Sequence, residues 1–311
     1  MRIGINGTAL VQRASIDAVG EHAQAAAADG FASYWLAELP TGGFDALTVL
    51  AAVGARVPAL ELGTAVVPTF PRHPMALAAQ ALTVDQWIGG RLTLGVGLSH
   101  AAMMASLGIG FERPIRHLRE YLSILAPLLA DGKVAFRGEL LACEATLFKA
   151  PARRVPLLVA ALGPQALSVA GALADGTTLA WVGPRTIRSH IVPKLCEAAE
   201  RAGRGAPRVI ATLPICATDD APRVRALVAK TLAMYGELPS YRAMFDREGA
   251  AGPADVALIG NEAQLRAQLE ELADAGVTDF AASEFTTSPE ERLRTRALLT
   301  SSVAALAQPG S

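Results

Sequence analysis

The sequence contains little cysteine and no recognisable metal-binding pattern. Its three cysteines, Cys143, Cys196 and Cys216, lie far apart, and no CxxC pair occurs among the 311 residues. This excludes a disulfide framework and predicts buried thiols in a reducing compartment. The five histidines form no cluster with aspartate or glutamate at the spacing of metal ligands. We therefore predict no metal site.

Blocks of one charge and long apolar runs are also missing. The 28 basic and 29 acidic side chains are spread along the chain, which makes nucleic acid and anionic membranes poor partners. The most apolar stretch, residues 46–68, is interrupted by Arg56, Pro58 and Glu61, which favours a core helix and strand over a membrane span. The first residues resemble a strand and lack the features of a signal peptide. We expect a soluble cytoplasmic protein.

The sequence does contain a regular alternation of apolar strands and amphipathic helices. Eight strands are predicted, at residues 2–6, 33–38, 60–67, 91–97, 156–161, 177–182, 208–218 and 276–282. Nearly continuous apolar strands separated by helices indicate a parallel sheet covered on both faces. We predict an α/β fold, a (β/α)₈ TIM barrel formed as a single domain by residues 1–311. An open doubly wound sheet is the alternative.

Two segments interrupt this alternation. Residues 133–156 alternate weakly and predict an inserted hairpin or loop after the fourth βα unit. Residues 219–249 predict extra helices before the eighth strand. Within the latter, residues 238–245 mix aromatic side chains with Met244 and Arg242. They suit a core or dimer contact, or a lid over a substrate pocket.

The stretch from residue 60 to residue 74 has the strongest organisation. A buried strand enters a loop with Pro68 and Pro71, and Pro74 then opens a helix. Such a rigid loop lies at the C-terminal end of a parallel strand, where barrel enzymes place their chemistry. His73 precedes this helix and is at least as well suited to a structural role as to catalysis.

A second glycine-containing strand end follows. Gly97-Leu98-Ser99-His100 lacks the third glycine of a dinucleotide fingerprint, and Ala101 replaces the glycine of a nucleophile elbow. What remains is a strand end where a flat ligand can approach the backbone, unless the glycines serve packing only. Among the histidines, His100 alone ends a predicted strand.

Two further strand ends contribute candidates. Ala161, Leu162, Gly163, Pro164 and Gln165 lead from the fifth strand into a helix, whose free N–H groups could bind an anion such as phosphate. An ordinary strand-to-helix turn is the alternative. Glu38 ends the second strand and is either a pocket acid or a helix-capping residue.

Taken together, these strand ends resemble the bacterial luciferase-like superfamily, and within it the coenzyme F420-dependent oxidoreductases. The similarity extends in order over nearly the whole chain. Its pieces are Gly63-Thr64-Ala65-Val66-Val67-Pro68 with Arg72-His73-Pro74, Asp85-Gln86-Trp87-Ile88-Gly89-Gly90-Arg91, Leu94 to His100, Ala160 to Pro164, Leu238 to Arg242 and Asp274 to Phe280.

The resemblance implies a usually dimeric (β/α)₈ barrel that binds a deazaflavin or flavin ring at its C-terminal face. The coenzyme-binding residues would be Gly63, Thr64, Ala65, Val66 and Val67, then Gly97, Leu98, Ser99 and His100, and finally Ala161, Leu162, Gly163, Pro164 and Gln165. It also implies a non-prolyl cis peptide bond between Ala65 and Val66, in a bulge that supports one face of the ring.

Two departures from the family pattern limit this inference. Relatives often carry an Asp-His pair after the second strand, where this sequence has Glu38 and Leu39. The sugar-phosphate dehydrogenase branch has a glutamate acid where His100 stands. This argues against sugar-phosphate oxidation and makes His100 the best proton donor, with Glu38 as a second catalytic candidate.

The resemblance therefore implies an F420-dependent oxidoreductase that acts on a small molecule, such as an activated alkene, imine or carbonyl. An FMN-dependent monooxygenase supplied by a separate reductase is the first alternative. A flavin- or deazaflavin-binding protein without turnover is the second, because a fold alone does not establish catalysis. In each case we expect a homodimer.

Overall fold

The computed structural model of the chain describes residues 1–13, 15–39 and 42–307, and it shows the predicted closed barrel. Its thirteen strands are β1 (Arg2–Asn6), β2 (Ser33–Leu36), β3 (Glu61–Thr64), β4 (Val67–Pro68), β5 (Leu92–Gly97), β6 (Lys133–Arg137), β7 (Ala142–Thr146), β8 (Leu157–Val159), β9 (Gly176–Ala180), β10 (Arg208–Thr212), β11 (Pro214–Ala217), β12 (Leu258–Gly260) and β13 (Asp279–Glu284).

Eight of these strands form the barrel wall in the order β1, β2, β3, β5, β8, β9, β10, β13, and β13 pairs back onto β1. Every pairing in this ring is parallel. The third predicted strand is divided into β3 and β4 by a bulge at residues 65 and 66, and β4 pairs with β5 beyond it. The closed ring excludes the open doubly wound sheet.

Fifteen helices accompany the strands: α1 (Thr8–Arg13), α2 (Ile16–Ala28), α3 (Ala46–Gly54), α4 (Pro74–Trp87), α5 (Ala101–Ser106), α6 (Pro114–Asp131), α7 (Pro164–Leu173), α8 (Pro184–Thr186), α9 (Val192–Arg201), α10 (Ala221–Thr231), α11 (Ala233–Glu237), α12 (Pro239–Glu248), α13 (Pro253–Val256), α14 (Glu262–Asp274) and α15 (Pro289–Ala307). A π-helical segment, Ile187–Ile191, joins α8 to α9. None of the helices within the described ranges is both long and apolar enough to cross a bilayer.

Both predicted interruptions are present. Strands β6 and β7 form an antiparallel hairpin after α6, and Glu120 fixes its turn by accepting hydrogen bonds from the N–H groups of Leu140 and Leu141, both at 2.8 Å. Helices α10, α11 and α12 precede the eighth barrel strand, as predicted. The short elements α1, α5, α13 and β12 were not predicted, because three to six residues carry too little periodicity to detect.

Ion pairs fill the N-terminal end of the barrel. Arg208 donates to Glu61 at 2.8 Å and to Asp279 at 2.9 Å, and Arg2 contacts the same two carboxylates. Burial by itself would raise the pKa values of Glu61 and Asp279, but Arg208 holds both below their usual range. The carboxylates therefore stay ionised and paired.

Above this layer, Trp35 occupies the centre of the barrel. Its indole is completely buried and packs with Leu158, Ile210 and Ala281, while Ala65 touches this cluster from above. The indole N–H donates to Ser33 Oγ at 2.8 Å, so its polar group is satisfied inside the core. The buried indole therefore fills the barrel below the bulge at residues 65 and 66.

Candidate functional site

The C-terminal end of the barrel is a cup with a floor of small side chains. Because side chains alternate between the two faces of a strand, the residue two positions after an inward-facing residue also faces inward. These residues form the next inward-facing layer above Trp35. That layer, here called the cup floor, consists of Asn6, Ala37, Ala65, Gly97, Ala160, Ala180, Thr212 and Ser283. All except Gly97 and Thr212 are partly exposed, whereas the Trp35 layer is buried. A flat ligand can therefore lie on this surface.

The bulge between β3 and β4 forms one side of the cup floor. The peptide bond between Ala65 and Val66 is cis, as the resemblance implied. The bulge is held by its neighbours, since Ala65 N–H donates to Leu36 O at 2.8 Å and Glu38 N–H donates to Val66 O at 3.0 Å. Next to it, Thr64 Oγ1 exchanges two 2.8 Å hydrogen bonds with the backbone of Gly95.

Glycine is required for steric reasons at Gly97 in the cup floor and at Gly63 in the layer of Trp35 below it. A Cβ atom on Gly97 would lie 2.8 Å from Val66 Cγ2 and 3.1 Å from Ala160 Cβ. A Cβ atom on Gly63 would lie 2.0 Å from Trp35 Cζ3. All three distances from the added Cβ atoms are below an ordinary carbon–carbon contact of about 3.5 Å. The predicted ligand-facing glycines thus also set the depth of the cup.

Glu38 lies beside the bulge and is engaged in an ion pair. Arg72 donates to Glu38 Oε1 at 2.9 Å and also contacts Asp45, the residue that caps α3. Burial raises the pKa of Glu38, and the Arg72 guanidinium opposes that rise. Within the described ranges, Glu38 Oε2 is buried without a hydrogen-bond partner. The contacts place Glu38 as a support of the bulge, and its catalytic role stays a prediction.

His100 lies at the rim of the cup, where β5 ends and α5 begins. Its imidazole contacts the ring of Tyr241 with 5.5 Å between centroids. Burial lowers the pKa of His100, so the imidazole is neutral at pH 7. Leu98 and Ser99 precede it, and Ser99 has a φ of 62°, which turns the chain from the strand into the helix.

A row of rings continues from His100 across the cup. Tyr241 packs edge-on against Tyr235 at 5.7 Å, and Tyr235 packs against Trp181 at 5.1 Å. We call Tyr241, Tyr235 and Trp181 the aromatic wall. The sequence suggested a lid only at residues 238–245, and it gave no sign that Tyr235 on α11 and Trp181 after β9 would join it.

The predicted anion site, residues 161–165, forms a turn that opens α7. Gly163 is the N-cap with a φ of −78°, and Gly163, Pro164 and Gln165 are exposed, whereas Ala161 is buried. His190 on the π-helical segment donates from Nε2 to Leu162 O at 2.8 Å. His190 was not a candidate from the sequence, because a lone histidine in a helical pattern gives no sign of its contacts. His190 is 3 % exposed.

Burial lowers the pKa of His190, and Arg247 and Lys194 add to this effect, while the hydrogen bond to Leu162 opposes it. The ring is therefore neutral near pH 7 and has one N–H to donate. A helix with π geometry in the middle often marks a functional position. His190 thus holds the turn that leads into α7.

The other three histidines have contacts away from the cup. His73 caps α4 by accepting from Met75 N–H at 3.2 Å, which confirms the structural role. His117 stacks on Phe70 at 3.9 Å, and burial lowers its pKa to about 4. His22 lies on α2, 2.9 Å from the hydroxyl of Tyr34. Across the described ranges, no group of three or more His, Cys, Asp or Glu side chains is arranged to hold a metal.

The amino-acid sequence of this chain is similar to a family model and to proteins of known activity. The family model described as "Luciferase-like monooxygenase" matches residues 2–279. An F420-dependent glucose-6-phosphate dehydrogenase from Nakamurella multipartita is 32% identical over 184 residues, covering 57% of this chain and 54% of that protein. The chain thus spans about half the length of this relative. The enzyme of the same name from Beutenbergia cavernae is 30% identical over 81% of this chain and 73% of its own length.

Solved structures share the fold. The coenzyme F420-dependent tetrahydromethanopterin reductase from Methanopyrus kandleri superposes with a TM-score of 0.81 at 21% identity, covering 98% of both chains. An F420-dependent secondary alcohol dehydrogenase, solved with an F420-acetone adduct, gives 0.81 at 18% identity and 99% coverage of both chains. The monooxygenase RslO1 from Streptomyces bottropensis gives 0.77 at 20% identity, covering 99% of this chain and 100% of its own.

The family match extends over most of the chain, and relatives named as F420-dependent stand among the most similar proteins. Both findings confirm the resemblance read from the strand ends. The chain belongs to the luciferase-like monooxygenase family.

Proposed function

We propose that the protein is an F420-dependent oxidoreductase that transfers a hydride between the deazaflavin and a small organic substrate. The observation that carries this proposal is the cup floor of small side chains beside the bulge at residues 65 and 66. Relatives named as F420-dependent support the choice of coenzyme. The reaction class that fits best is reduction of an activated alkene, imine or carbonyl.

The residues present fit a flat heteroaromatic coenzyme. The cup floor is open, and Gly97 keeps it free of a Cβ atom that would meet Val66. Thr212 is 8 % exposed, and its Oγ1 is a buried oxygen without a hydrogen-bond partner in the described part of the chain. A buried polar atom of this kind is costly unless a ligand or water pairs with it. Thr212 can therefore bind a polar edge of the ring.

Reduced F420, when bound, supplies the hydride. The chain orients the reactants and handles the proton. The bulge and the Gly63 to Val67 segment support the ring, and the turn at residues 161–165 offers backbone N–H groups for an anionic part of the coenzyme. His100 at the rim has a neutral imidazole, which can accept a proton from an alcohol or donate a hydrogen bond to a carbonyl.

A second candidate is an FMN-dependent monooxygenase that receives reduced flavin from a separate reductase. The family description and the fold of RslO1 favour it. The two candidates differ in coenzyme and in reactivity with oxygen. A reduced flavin bound by a monooxygenase consumes oxygen, whereas a reduced deazaflavin hardly reacts with it.

The test is a side-by-side fluorescence titration of the purified protein with F420 and FMN. We expect the wild-type protein to bind F420 more tightly than FMN. In Gly97→Ala, F420 binding should be about tenfold weaker, because the added methyl group intrudes on the cup floor. Gly205→Ala is the matched control, since a Cβ atom there meets nothing within 4 Å. Absence of F420 affinity in the wild type would refute the proposal, and exclusive FMN binding would select the monooxygenase.

We also propose that residues 1–311 form one domain and that the chain works as a homodimer. The exposed side chains of Trp87, at 68 %, and Phe148 support an interface between copies. Light scattering after size exclusion should give twice the chain mass. A monomer mass at micromolar concentration would contradict the dimer.

A further inference from the structure

The aromatic wall limits what can lie over the cup floor. Trp181, Tyr235 and Tyr241 come from three elements, the end of β9, α11 and α12, and their rings are in successive contact from Trp181 to His100. Aromatic faces favour planar partners, which they meet by stacking or edge-on contact. The extra helices before β13 therefore contribute two of the three aromatic rings that lie in succession beside His100.

The cup is also uncharged. None of the residues of the cup floor or the aromatic wall is an acid, a lysine or an arginine. Among the charged side chains of the neighbouring elements, Arg72 pairs with Glu38, Glu248 accepts from the N–H of Thr186 at 2.7 Å, and Arg242 donates to two backbone carbonyls. A phosphate or carboxylate that contacts the cup floor and the aromatic wall would lose its hydration without gaining a cation from either surface.

The aromatic wall carries three polar groups, the hydroxyls of Tyr241 and Tyr235 and the indole N–H of Trp181. Tyr241 is the wall residue whose ring contacts His100, with 5.5 Å between the centroids. Burial raises the pKa of Tyr241 well above its usual value, and Tyr235 adds to this effect. The phenol therefore stays protonated and can donate a hydrogen bond to a carbonyl oxygen throughout the physiological pH range.

Building on the proposed function, we infer that the substrate is a neutral, planar, conjugated carbonyl compound, an aryl enone, that packs on the aromatic wall and accepts a hydrogen bond from Tyr241. The β-carbon of the enone gains the hydride from reduced F420, and the α-carbon gains a proton from water. The C=C double bond becomes a single bond, and the coenzyme is oxidised by two electrons. Tyr241 stabilises the negative charge that develops on the carbonyl oxygen.

The experiment measures binding to the wild-type protein saturated with oxidised F420, by equilibrium dialysis. The probes are benzylideneacetone, cinnamate and glucose 6-phosphate. Benzylideneacetone should bind at least tenfold more tightly than cinnamate, which has the same planar frame but a negative charge. Glucose 6-phosphate should bind more weakly still.

Variants test the aromatic wall directly. Tyr235→Ala and Tyr241→Ala should each weaken benzylideneacetone binding about three- to tenfold, the range for loss of one aromatic contact. Met234→Ala is the matched control, because Met234 lies next to Tyr235 on α11 and is 53 % exposed. Tyr241→Phe should keep the Kd within about twofold but slow oxidation of reduced F420 by benzylideneacetone about tenfold or more.

Equal binding of cinnamate and benzylideneacetone would overturn the inference, as would wall variants that behave like Met234→Ala. Thermal unfolding shows whether Tyr241→Ala folds. If it does not, Tyr235→Ala still tests the contact with the aromatic wall and Tyr241→Phe still tests the hydrogen bond. A wild type that binds no F420 refutes the proposed function itself. Normal F420 binding without discrimination among the probes refutes only the aryl enone.

Discussion

The contact between Gly63 and Trp35 supports the whole cup and can be tested by adding one methyl group. In Gly63→Ala, the new Cβ atom would lie 2.0 Å from Cζ3 and 2.2 Å from Cε3 of Trp35. An ordinary carbon–carbon contact is about 3.5 Å, so the indole would have to recede by more than about 1 Å. It has no free space, because Leu158 and Ile210 enclose it and all three side chains are completely buried.

The expected cost follows from these contacts. Overpacking a core by one methyl group costs about 1–3 kcal/mol, and the severity of this overlap places Gly63→Ala near the upper end. Alanine also restricts the unfolded chain, which raises the unfolding free energy by about 0.4–1 kcal/mol. The net loss of unfolding free energy should be about 2 kcal/mol, or about 4 °C in Tm for a chain of this size.

Urea unfolding, followed by circular dichroism, measures this change. Gly205→Ala is the control and should be neutral or slightly stabilising, because Gly205 is exposed and its surroundings are open. Combining Gly63→Ala with Trp35→Phe makes room for the methyl group, so the double variant should be more stable than the sum of the single effects by about 1–3 kcal/mol. Equal stability of Gly63→Ala and Gly205→Ala, or strict additivity in the double variant, would refute the reasoning.

Two further predictions concern the turn after the fifth barrel strand and the acid stability of the fold. His190→Ala removes the 2.8 Å hydrogen bond to Leu162 O and should weaken F420 binding about fivefold, the value of one buried hydrogen bond, while kcat stays nearly unchanged. His190→Gln keeps an N–H donor and should restore most of the affinity; equal loss in both variants would contradict this role. Burial alone would raise the pKa of Glu291, but hydrogen bonds from Thr287 and other neighbours lower it to about 2. Because the folded pKa lies below the unfolded one, this stabilisation is complete above about pH 5 and is lost as the pH falls towards 2. Unfolding free energies across this range should fall less steeply in Glu291→Gln, and parallel pH curves would contradict the prediction.

Much of the fold was predictable because it depends on local pattern. Apolar strands, helix caps and glycine stops recur along the chain, and they located all eight barrel strands, the hairpin insertion and the extra helices. Asp45 and Asn261 are examples of such caps, since each accepts a hydrogen bond from the third residue of its helix. The signals lie within a few residues of each other, so a linear sequence contains them.

The candidate site could be predicted only in part. The strand ends at residues 63–67, 97–100 and 161–165 were identified because parallel strands bring their C-terminal ends to one face. The sequence by itself thus determined the barrel, the face that carries the site and the backbone segments that line it.

The tertiary structure alone decided which side chains meet there. It brought Trp181, Tyr235 and Tyr241 into one wall beside His100, joined His190 to Leu162, and placed Glu38 in an ion pair with Arg72. Apart from Tyr235 and Tyr241, these partners are separated by tens of residues, and their contacts depend on how the helices pack over the barrel. No pattern with the period of a helix or strand records such contacts, because they arise from packing between elements.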